Sequence, residues 1–212
     1  HLQQLCEEII ARAVAEEKLQ LFGWRMVPTR DEVLVPLAKQ TRPCIRQVFV
    51  VPVETSPVDG DELERRCYLL RRRIEREVRE RLPEGAAEEF YIPSLSSRTI
   101  VYKGLLLPEQ LQEFYQDLES QLYHSAMAMV HNRFSTNTFP SWRRAQPNRC
   151  SLHNGEINTI NGNHHWVLAR EAAFRSQRFP DPELLRPVVD PTGSDSAMFD
   201  NVLELLVLAG WP

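Results

Sequence analysis

The sequence predicts a layered α+β domain, in which helices pack against antiparallel sheets. Its 212 residues suit one domain, and 42% hydrophobic with 25% charged residues is typical of a soluble globular protein. Predicted strands follow one another in short runs, and the predicted helices are grouped between these runs. That order favours antiparallel pairing over the alternating strand–helix–strand crossovers of a parallel sheet.

Three long segments carry apolar residues at helical spacing. They cover residues 1–20, 61–82 and 192–210. The last should begin at Ser194 or Asp195, with Met198, Val202, Leu205 and Ala209 facing a core. Shorter helices are predicted over 107–120, where Pro108 opens the first turn, and over 165–176.

Strands are predicted where β-branched and aromatic residues are dense. Two of them cover residues 22–29 and 45–53. Residues 88–106 predict two further strands, joined by a polar turn at 95–98, and residues 124–131 predict another. Short strands that follow one another in this way are expected to pair antiparallel.

Charge gives no general reason to bind nucleic acid or an anionic membrane, since the net charge is −4. No apolar run approaches the length of a membrane span. The segment 61–82 is rich in arginine, but glutamates are interleaved with the arginines throughout. Local pairs between residues i and i+4 explain this pattern, so we expect a solvated helix face. Its arginines are Arg65, Arg66, Arg71, Arg72, Arg73, Arg76, Arg79 and Arg81.

The four cysteines show no spacing typical of a disulfide framework, which predicts free thiols. Cys6 and Cys67 fall on apolar helix faces, where cysteine acts as a small buried hydrophobe. Cys150 has three interpretations. It is a buried thiol beside a polar loop, which we favour, or a nucleophile with His153 as base, or part of a zinc site. The zinc ligands would be Cys150, His153, His164 and His165, a set without the usual ligand spacing.

Polar residues are concentrated in residues 131–163, and each motif there has two interpretations. "HNGEIN" predicts a tight turn, or an oxyanion hole formed by the side chain of Asn154 and the backbone N–H of Gly155. "RFSTNT" predicts a structural ion pair, or a carboxylate clamp centred on Arg133. In "TGSDS", Asp195 either caps a helix or accepts an ammonium group. The second interpretations together suit glutamine, an α-amino acid with a carbonyl at its far end.

Several motifs resemble the glutaminase domain of glutamate synthase, in the same order and at similar spacing. They include "HNRFSTNTFPSW", "AQP", "HNGEINTINGN", and "TGSDS" followed by "DNVLELL". Upstream, "GWRMVPT", "IRQVFV" and "IVYKGLLLPEQLQEFYQDL" extend the resemblance over nearly the whole chain. It implies a class II glutamine amidotransferase with the N-terminal-nucleophile hydrolase fold, a four-layer αββα sandwich of two mainly antiparallel sheets.

The resemblance also implies a role for each matching residue. Arg133 would hold the α-carboxylate of glutamine, with help from Thr136. Asn154 and Gly155 would form the oxyanion hole, and Asp195 would bind the ammonium group. In the family an N-terminal cysteine attacks the amide, and its own α-amino group serves as base.

We expect residues 1–212 to be one such domain, as a fragment that lacks its first strands and its nucleophilic cysteine and is therefore inactive alone. The stretch 141–155 departs from the family pattern, with Arg143, Arg144, Asn148 and Cys150 at unusual positions. A non-catalytic glutamine-binding or scaffold module of the same fold is therefore the alternative. A class II amidotransferase that supplies ammonia to an amino sugar or to asparagine is a third possibility.

For the parent enzyme, the resemblance implies that the released ammonia is added to 2-oxoglutarate in a flavin-containing synthase domain of the same polypeptide. It implies FMN and an iron–sulfur cluster outside this domain, with electrons from NAD(P)H or ferredoxin, and no cofactor inside it. The expected partners are glutamine, the synthase domain and an electron-donating subunit or ferredoxin. The expected location is the cytoplasm, or the plastid in a photosynthetic eukaryote.

Overall fold

A computed structural model describes residues 1–54, 57–132 and 139–211 of the chain. Within these ranges it mixes helices with one two-stranded antiparallel sheet, so the mixed α and β character is confirmed. The helices are α1 (Leu2–Glu16), α2 (Pro36–Gln40), α3 (Gly60–Arg81), α4 (Glu84–Glu89), α5 (Gln110–Phe114), α6 (Ile160–Glu171) and α7 (Asp195–Leu208). The strands are β1 (Leu19–Met26) and β2 (Arg46–Pro52), and short 3₁₀ turns occupy Asp31–Val33, Gln116–Glu119 and Pro182–Leu185.

The sheet pairs β1 with β2, which overlap the two segments predicted as strands over 22–29 and 45–53. Leu21 lies opposite Val50 and Trp24 opposite Val48, with an irregularity between Leu21 and Gly23. Because side chains alternate along a strand, one face is directed at the helices and the other is left open. Trp24, Val48 and Val50 pack on the first core cluster, whereas Phe22 on the opposite face is 78% exposed.

Helix α3 is the central element, because two core clusters share it. Its residues Leu70, Ile74 and Val78 pack against Ile9 and Leu19, which joins α3 to α1 and β1. Tyr68 of α3 belongs to a second cluster, whose other buried members are Phe179, Leu185, Val188, Val189 and Leu205. Through Leu205 this cluster joins α3 to α7. Met198, Val202 and Ala209 pack against the same cluster, so the predicted inner face of α7 is confirmed.

A third core cluster contains Trp142, at the start of the polar stretch that follows residue 141. Trp142 packs against Phe114, and its indole N–H donates a hydrogen bond of 3.1 Å to the carbonyl of Ala38. Gly104 lies against this indole, and a Cβ at that position would overlap the ring. The indole therefore anchors the start of the loop that carries the candidate site.

The predictions of three strands, in two segments, were wrong. No strand occurs over 88–106 or over 124–131, which belong to the described residues. In the first segment side chains take the backbone hydrogen bonds that a ladder would use: Ser94 Oγ accepts from the N–H of Val101 and Ser96 Oγ from that of Thr99. In the second segment Met127 is 79% exposed, and no described strand lies alongside. Residues with high β propensity form a strand only where they can pair and pack against a neighbour.

The prediction of a solvated arginine face on α3 was only partly right. Local pairs exist, as between Arg66 and Glu62 and between Arg71 and Glu75. Arg71 and Arg72 are nevertheless buried, with 2% and 7% exposed. They are covered because α7 and the segment after residue 182 pack on this side of α3, which helical spacing alone does not reveal.

Arg71 forms a buried ion network that joins α3 to α7. Its guanidinium pairs with Glu75 at 3.1 Å and with Glu204 of α7, and Glu75 also pairs with Arg149 at 3.4 Å. Burial alone would raise the pKa of Glu75, but the charges of Arg71, Arg149 and Arg72 outweigh it and lower the pKa to about 2. The carboxylate is thus ionised at neutral pH, and the network joins three segments: Glu75 pairs with Arg149, while Arg71 pairs with Glu204 of α7.

We expect Arg71→Met to lower the free energy of unfolding by about 3–5 kcal/mol, because it leaves two buried carboxylates without their shared cation. Denaturant titration at neutral pH measures this. Arg98→Met is the matched control, since the Arg98–Asp61 pair is largely exposed and its loss should have little effect. Equal losses in the two variants would contradict a special role for the Arg71 network.

The same network sets a pH dependence. Since the folded-state pKa of Glu75 lies below its ordinary value of 4.5, the stabilisation is complete above that pH and is lost as pH falls towards about 2. The difference in free energy of unfolding between wild type and Glu75→Gln should therefore become smaller as the pH falls from 4.5 towards about 2.

Candidate functional site

The candidate site is built on residues 146–157, here called the site loop. Gln146 joins the start of this loop to His153, because its side-chain amide bonds both backbone groups of His153. The Oε1 atom accepts from the His153 N–H and the Nε2 group donates to the His153 carbonyl, each at 2.7 Å. Between them, the N–H of Asn148 donates to the carbonyl of Ser151 at 2.9 Å. The loop is thus a folded unit that needs no strand partner.

Asp200 holds the middle of the site loop from α7. Its side chain is 1% exposed and accepts three hydrogen bonds. They come from the N–H of Arg149 at 3.1 Å, the N–H of Cys150 at 2.9 Å and the hydroxyl of Ser151 at 2.8 Å. A buried carboxylate with three donors is well satisfied, so Asp200 has a structural role in shaping the loop.

Asp195, in the first turn of α7, holds the C-terminal end of the site loop at Ile157. Ser194 is the N-cap of this helix, and its hydroxyl accepts from the N–H of Ala197 at 3.2 Å. Asp195 therefore does not serve as the N-cap. Its carboxylate accepts from the N–H of Ile157 at 2.6 Å and from the N–H of Ser196 at 2.6 Å.

His153 also contacts α7. Its Nδ1 lies 3.3 Å from the hydroxyl oxygen of Ser196, which is buried and is itself 3.1 Å from Oδ1 of Asp195. The imidazole ring lies over Gly155, since a Cβ on that glycine would be 3.0 Å from Cε1 and from Nε2 of the ring. A Cβ here would need the ring to shift by a few tenths of an ångström, so glycine suits this close approach of a side chain.

The structure brings together three of the five residues predicted for the site. Asn154 and Gly155 are exposed at a bend, between His153 and Ile157, both of which are held by hydrogen bonds. Asp195 is bonded to the same loop, directly beyond this bend. The other two predicted residues, Arg133 and Thr136, lie outside the described residues.

Cys150 is exposed, so our preferred interpretation of it as a buried thiol was wrong. Desolvation of the thiol within the loop, with the negative charges of Glu204 and Asp200, raises its pKa to about 12. Because the thiolate is the reactive form, Cys150 has a poor electrostatic setting for a nucleophile. Within the described ranges, no three histidine, cysteine or acidic side chains are grouped to hold a metal ion.

A cavity of about 480 Å³ lies beside the site, between α3, α4 and the N-terminal end of α7. Lys103 is in its wall, and burial together with the charges of Arg149 and Arg143 lowers the pKa of this amine to about 7. The residues that line the cavity include Asn148 and Arg149 of the site loop, and Ser194, but neither Asn154 nor Asp195. The cavity therefore adjoins the first part of the loop and not the bend that presents Asn154 and Gly155.

Sequence analysis missed the residues that hold the loop. Gln146 appears in the "AQP" motif, but no role was predicted for it. Ser196, Asp200 and Glu204 repeat at intervals of four along α7, and each of them bonds a segment outside the helix. A polar stripe at helical spacing beside an apolar face is the signal that predicts such a role.

Comparison with known families identifies the chain. A family model described as class-II glutamine amidotransferases matches residues 1–212. The chain therefore belongs to the class-II glutamine amidotransferases, as the sequence motifs predict.

Its relatives include large enzymes from bacteria, plants and fungi. It is 44% identical over 205 residues to the NADPH glutamate synthase large chain of Bacillus subtilis, which covers 96% of this chain and 13% of that protein. It is 44% identical over 211 residues to the chloroplastic ferredoxin-dependent glutamate synthase 2 of Arabidopsis thaliana, a match that covers 99% of this chain and 13% of that protein. With the NADH glutamate synthase of Saccharomyces cerevisiae the identity is 43% over 209 residues, a match that covers 97% of this chain and 10% of that protein.

The chain thus spans about an eighth or less of the length of these relatives. Among the helices in the described part of the chain, none has the length and apolar character needed to cross a membrane.

We expect Asp200→Ala to loosen the site loop, because two backbone N–H groups and one hydroxyl lose their buried acceptor. Amide exchange at Arg149 and Cys150 should become faster by about 10-fold or more. Asp181→Ala is the control, since Asp181 also accepts a backbone N–H, that of Glu183, but is exposed and far along the chain. Unchanged exchange at residues 149 and 150 in Asp200→Ala would show that Asp200 does not hold the loop.

We expect Cys150 to alkylate more slowly with iodoacetamide at pH 7 than a small free thiol does, despite its exposure. Its raised pKa leaves less thiolate at that pH, and the rate should climb with pH towards about 12. Mass spectrometry of the labelled peptide measures the rate. Labelling as fast as that of a small thiol would contradict this view of the loop.

Proposed function

We propose that this chain is the glutamine-hydrolysing domain of a glutamate synthase, which releases ammonia for the synthesis of glutamate from 2-oxoglutarate. One observation carries the proposal. The carboxylate of Asp195 is bonded at 2.6 Å to the N–H of Ile157, on the loop that presents Asn154 and Gly155. A carboxylate suited to an ammonium group and two donors suited to an oxyanion are thus brought together by a hydrogen bond between α7 and the site loop.

The chemistry we propose follows from these groups. Asp195 binds the α-ammonium of glutamine, while Arg133, with Thr136, binds its α-carboxylate. The Asn154 amide and the Gly155 N–H donate to the oxygen of the side-chain amide as a tetrahedral intermediate forms. A cysteine thiol forms this intermediate by attacking the amide carbon, and the C–N bond then breaks as the nitrogen takes the proton of the thiol and leaves as ammonia. Water hydrolyses the resulting thioester to glutamate and the free thiol.

We propose that the nucleophilic thiol comes from a cysteine at the mature N-terminus of the complete polypeptide, outside residues 1–212. Three of the four cysteines of this chain, Cys6, Cys67 and Cys150, are poor candidates. Cys67 is buried, and burial raises its pKa to about 12, while Cys150 has an equally raised pKa. Cys6 is in α1, packed against the first core cluster, where burial and Glu7 also raise its pKa.

We also propose that residues 1–212 form one class II amidotransferase domain with the four-layer αββα sandwich, completed by segments outside this chain. The open face of the β1–β2 sheet supports this proposal. Phe22 on β1 is exposed, as are Phe49 and Val51 on β2. Apolar residues along a sheet face are typical of a face that another layer covers.

For the complete polypeptide, we propose a flavin-containing synthase domain with FMN and an iron–sulfur cluster outside this domain. Its partners would be glutamine and an electron donor, NAD(P)H or ferredoxin. The relatives are named for all three donors, so their names favour none of them. We propose a cytoplasmic location, or a plastid location in a photosynthetic eukaryote. Of two Arabidopsis thaliana relatives, one is described as chloroplastic and the other as chloroplastic/mitochondrial.

Kinetics of the complete polypeptide test the function. Wild type should release ammonia and glutamate from glutamine, and a glutamine-analogue electrophile should label a cysteine outside residues 1–212. We expect Asn154→Ala to lower kcat by about 10²–10³-fold, the usual cost of one oxyanion donor. Asp195→Asn should raise KM on the order of 10-fold, because a charged partner of the ammonium group is lost.

Asn161→Ala is the control, because this asparagine is exposed nearby at the start of α6. It should leave both kcat and KM unchanged. Glutamine binding by calorimetry without any release of ammonia would overturn the hydrolase proposal and favour a non-catalytic glutamine-binding module.

A further inference from the structure

One hydroxyl group, that of Ser196, connects two parts of the proposed site. Its Oγ lies 3.1 Å from Oδ1 of Asp195 and 3.3 Å from Nδ1 of His153. Ser196 is only 3% exposed, so bulk water does not compete strongly for these contacts. Neither Ser196 nor His153 has a role in the chemistry proposed above.

The chemistry of the three groups fixes the direction of each hydrogen bond. An ionised carboxylate only accepts, so the single proton of the Ser196 hydroxyl points to Asp195. The hydroxyl oxygen is then left as an acceptor for a hydrogen bond from an N–H at Nδ1 of His153, which is the tautomer that this arrangement requires. The sequence of donors runs from His153 through Ser196 to Asp195.

The same histidine immediately precedes the two predicted oxyanion-hole residues. Both backbone groups of His153 are held by Gln146 at 2.7 Å, and its ring packs over Gly155. Rotation of the ring would therefore push against the backbone of Gly155 or leave it unsupported. A rigid ring orientation preorganises the Gly155 N–H, which is what an oxyanion hole requires.

We infer that Ser196 is a positioning residue, which couples Asp195 to the oxyanion loop through His153. This inference rests on the proposed function, since it assigns the coupling to glutamine hydrolysis. The ammonium end of the substrate would be bound at Asp195, and the amide end at Asn154 and Gly155. Ser196 holds these two ends in one geometry without touching the substrate itself.

Ser196→Ala in the complete polypeptide tests this role by removing one oxygen atom and adding no bulk. We expect kcat for glutamine hydrolysis to fall about 10-fold, since oxyanion donors act mainly in the transition state. KM should change by less than about 3-fold, because Asp195 keeps its bonds to the N–H groups of Ile157 and Ser196. Ser196→Thr, which restores the hydroxyl, should recover kcat to within about 3-fold of wild type.

Ser194→Ala is the matched control. It also removes a hydroxyl from the start of α7, but that hydroxyl bonds the N–H of Ala197 and not His153. It should leave kcat unchanged. A loss as large as that of Ser196→Ala would show that general weakening of the helix start is responsible, and it would overturn the inference.

A double-mutant cycle with His153 gives a sharper test, independent of whether threonine fits. His153→Ala should lower kcat about as much as Ser196→Ala, and the double variant should be no worse than the more damaged single variant. His153→Asn places an amide N–H near the position of Nδ1–H, so it should retain more activity than His153→Gln. The inference would be overturned if the fold-losses in kcat of the two single variants multiplied in the double variant, or if Ser196→Ala left kcat unchanged.

The two possible failures are distinguishable. If wild type releases ammonia and the cycle is additive, the coupling is wrong and the hydrolase function stands. If wild type releases no ammonia, the proposed function fails, and the coupling assigned to it fails with it.

Discussion

The buried pairing of Arg71 with Glu75 and Glu204 is the interaction on which the rest of the structure depends. It joins α3, the helix shared by two core clusters, to α7, the helix that holds the site loop. A buried guanidinium with two carboxylates is costly to desolvate and is retained only where its hydrogen bonds are well made. Its main effect is therefore geometric, because it fixes how α7 lies on α3.

The placement of the loop follows from the placement of α7. Asp195, Ser196 and Asp200 lie within the first two turns of this helix, and each bonds the loop between residues 149 and 157. The loop has no strand ladder, so side-chain acceptors satisfy its backbone N–H groups instead. One rigid helix thus positions the bend that presents Asn154 and Gly155, an arrangement more exact than a loop provides alone.

The charge pattern of α3 shows how local and tertiary effects combine. Spacing of i to i+4 correctly predicts the Arg71–Glu75 pair, yet the same arginine also pairs across to α7. Arginine suits this position because its planar group donates in several directions and keeps its charge when buried. An arginine-rich amphipathic helix is therefore compatible with a core position as well as with solvent, and only the surrounding elements decide between the two.

The sequence alone determined the periodic elements, the family and the residue types of the site. Apolar spacing predicts α1, α3 and α7, β-branched runs predict β1 and β2, and Ser194 marks the start of α7 because capping is a local interaction. Tertiary structure decided what depends on distant partners. It left 88–106 without strands, buried Arg71 and Arg72, and brought Asp195 against Ile157. These outcomes depend on which surfaces meet, and spacing along a chain carries no direct measure of that.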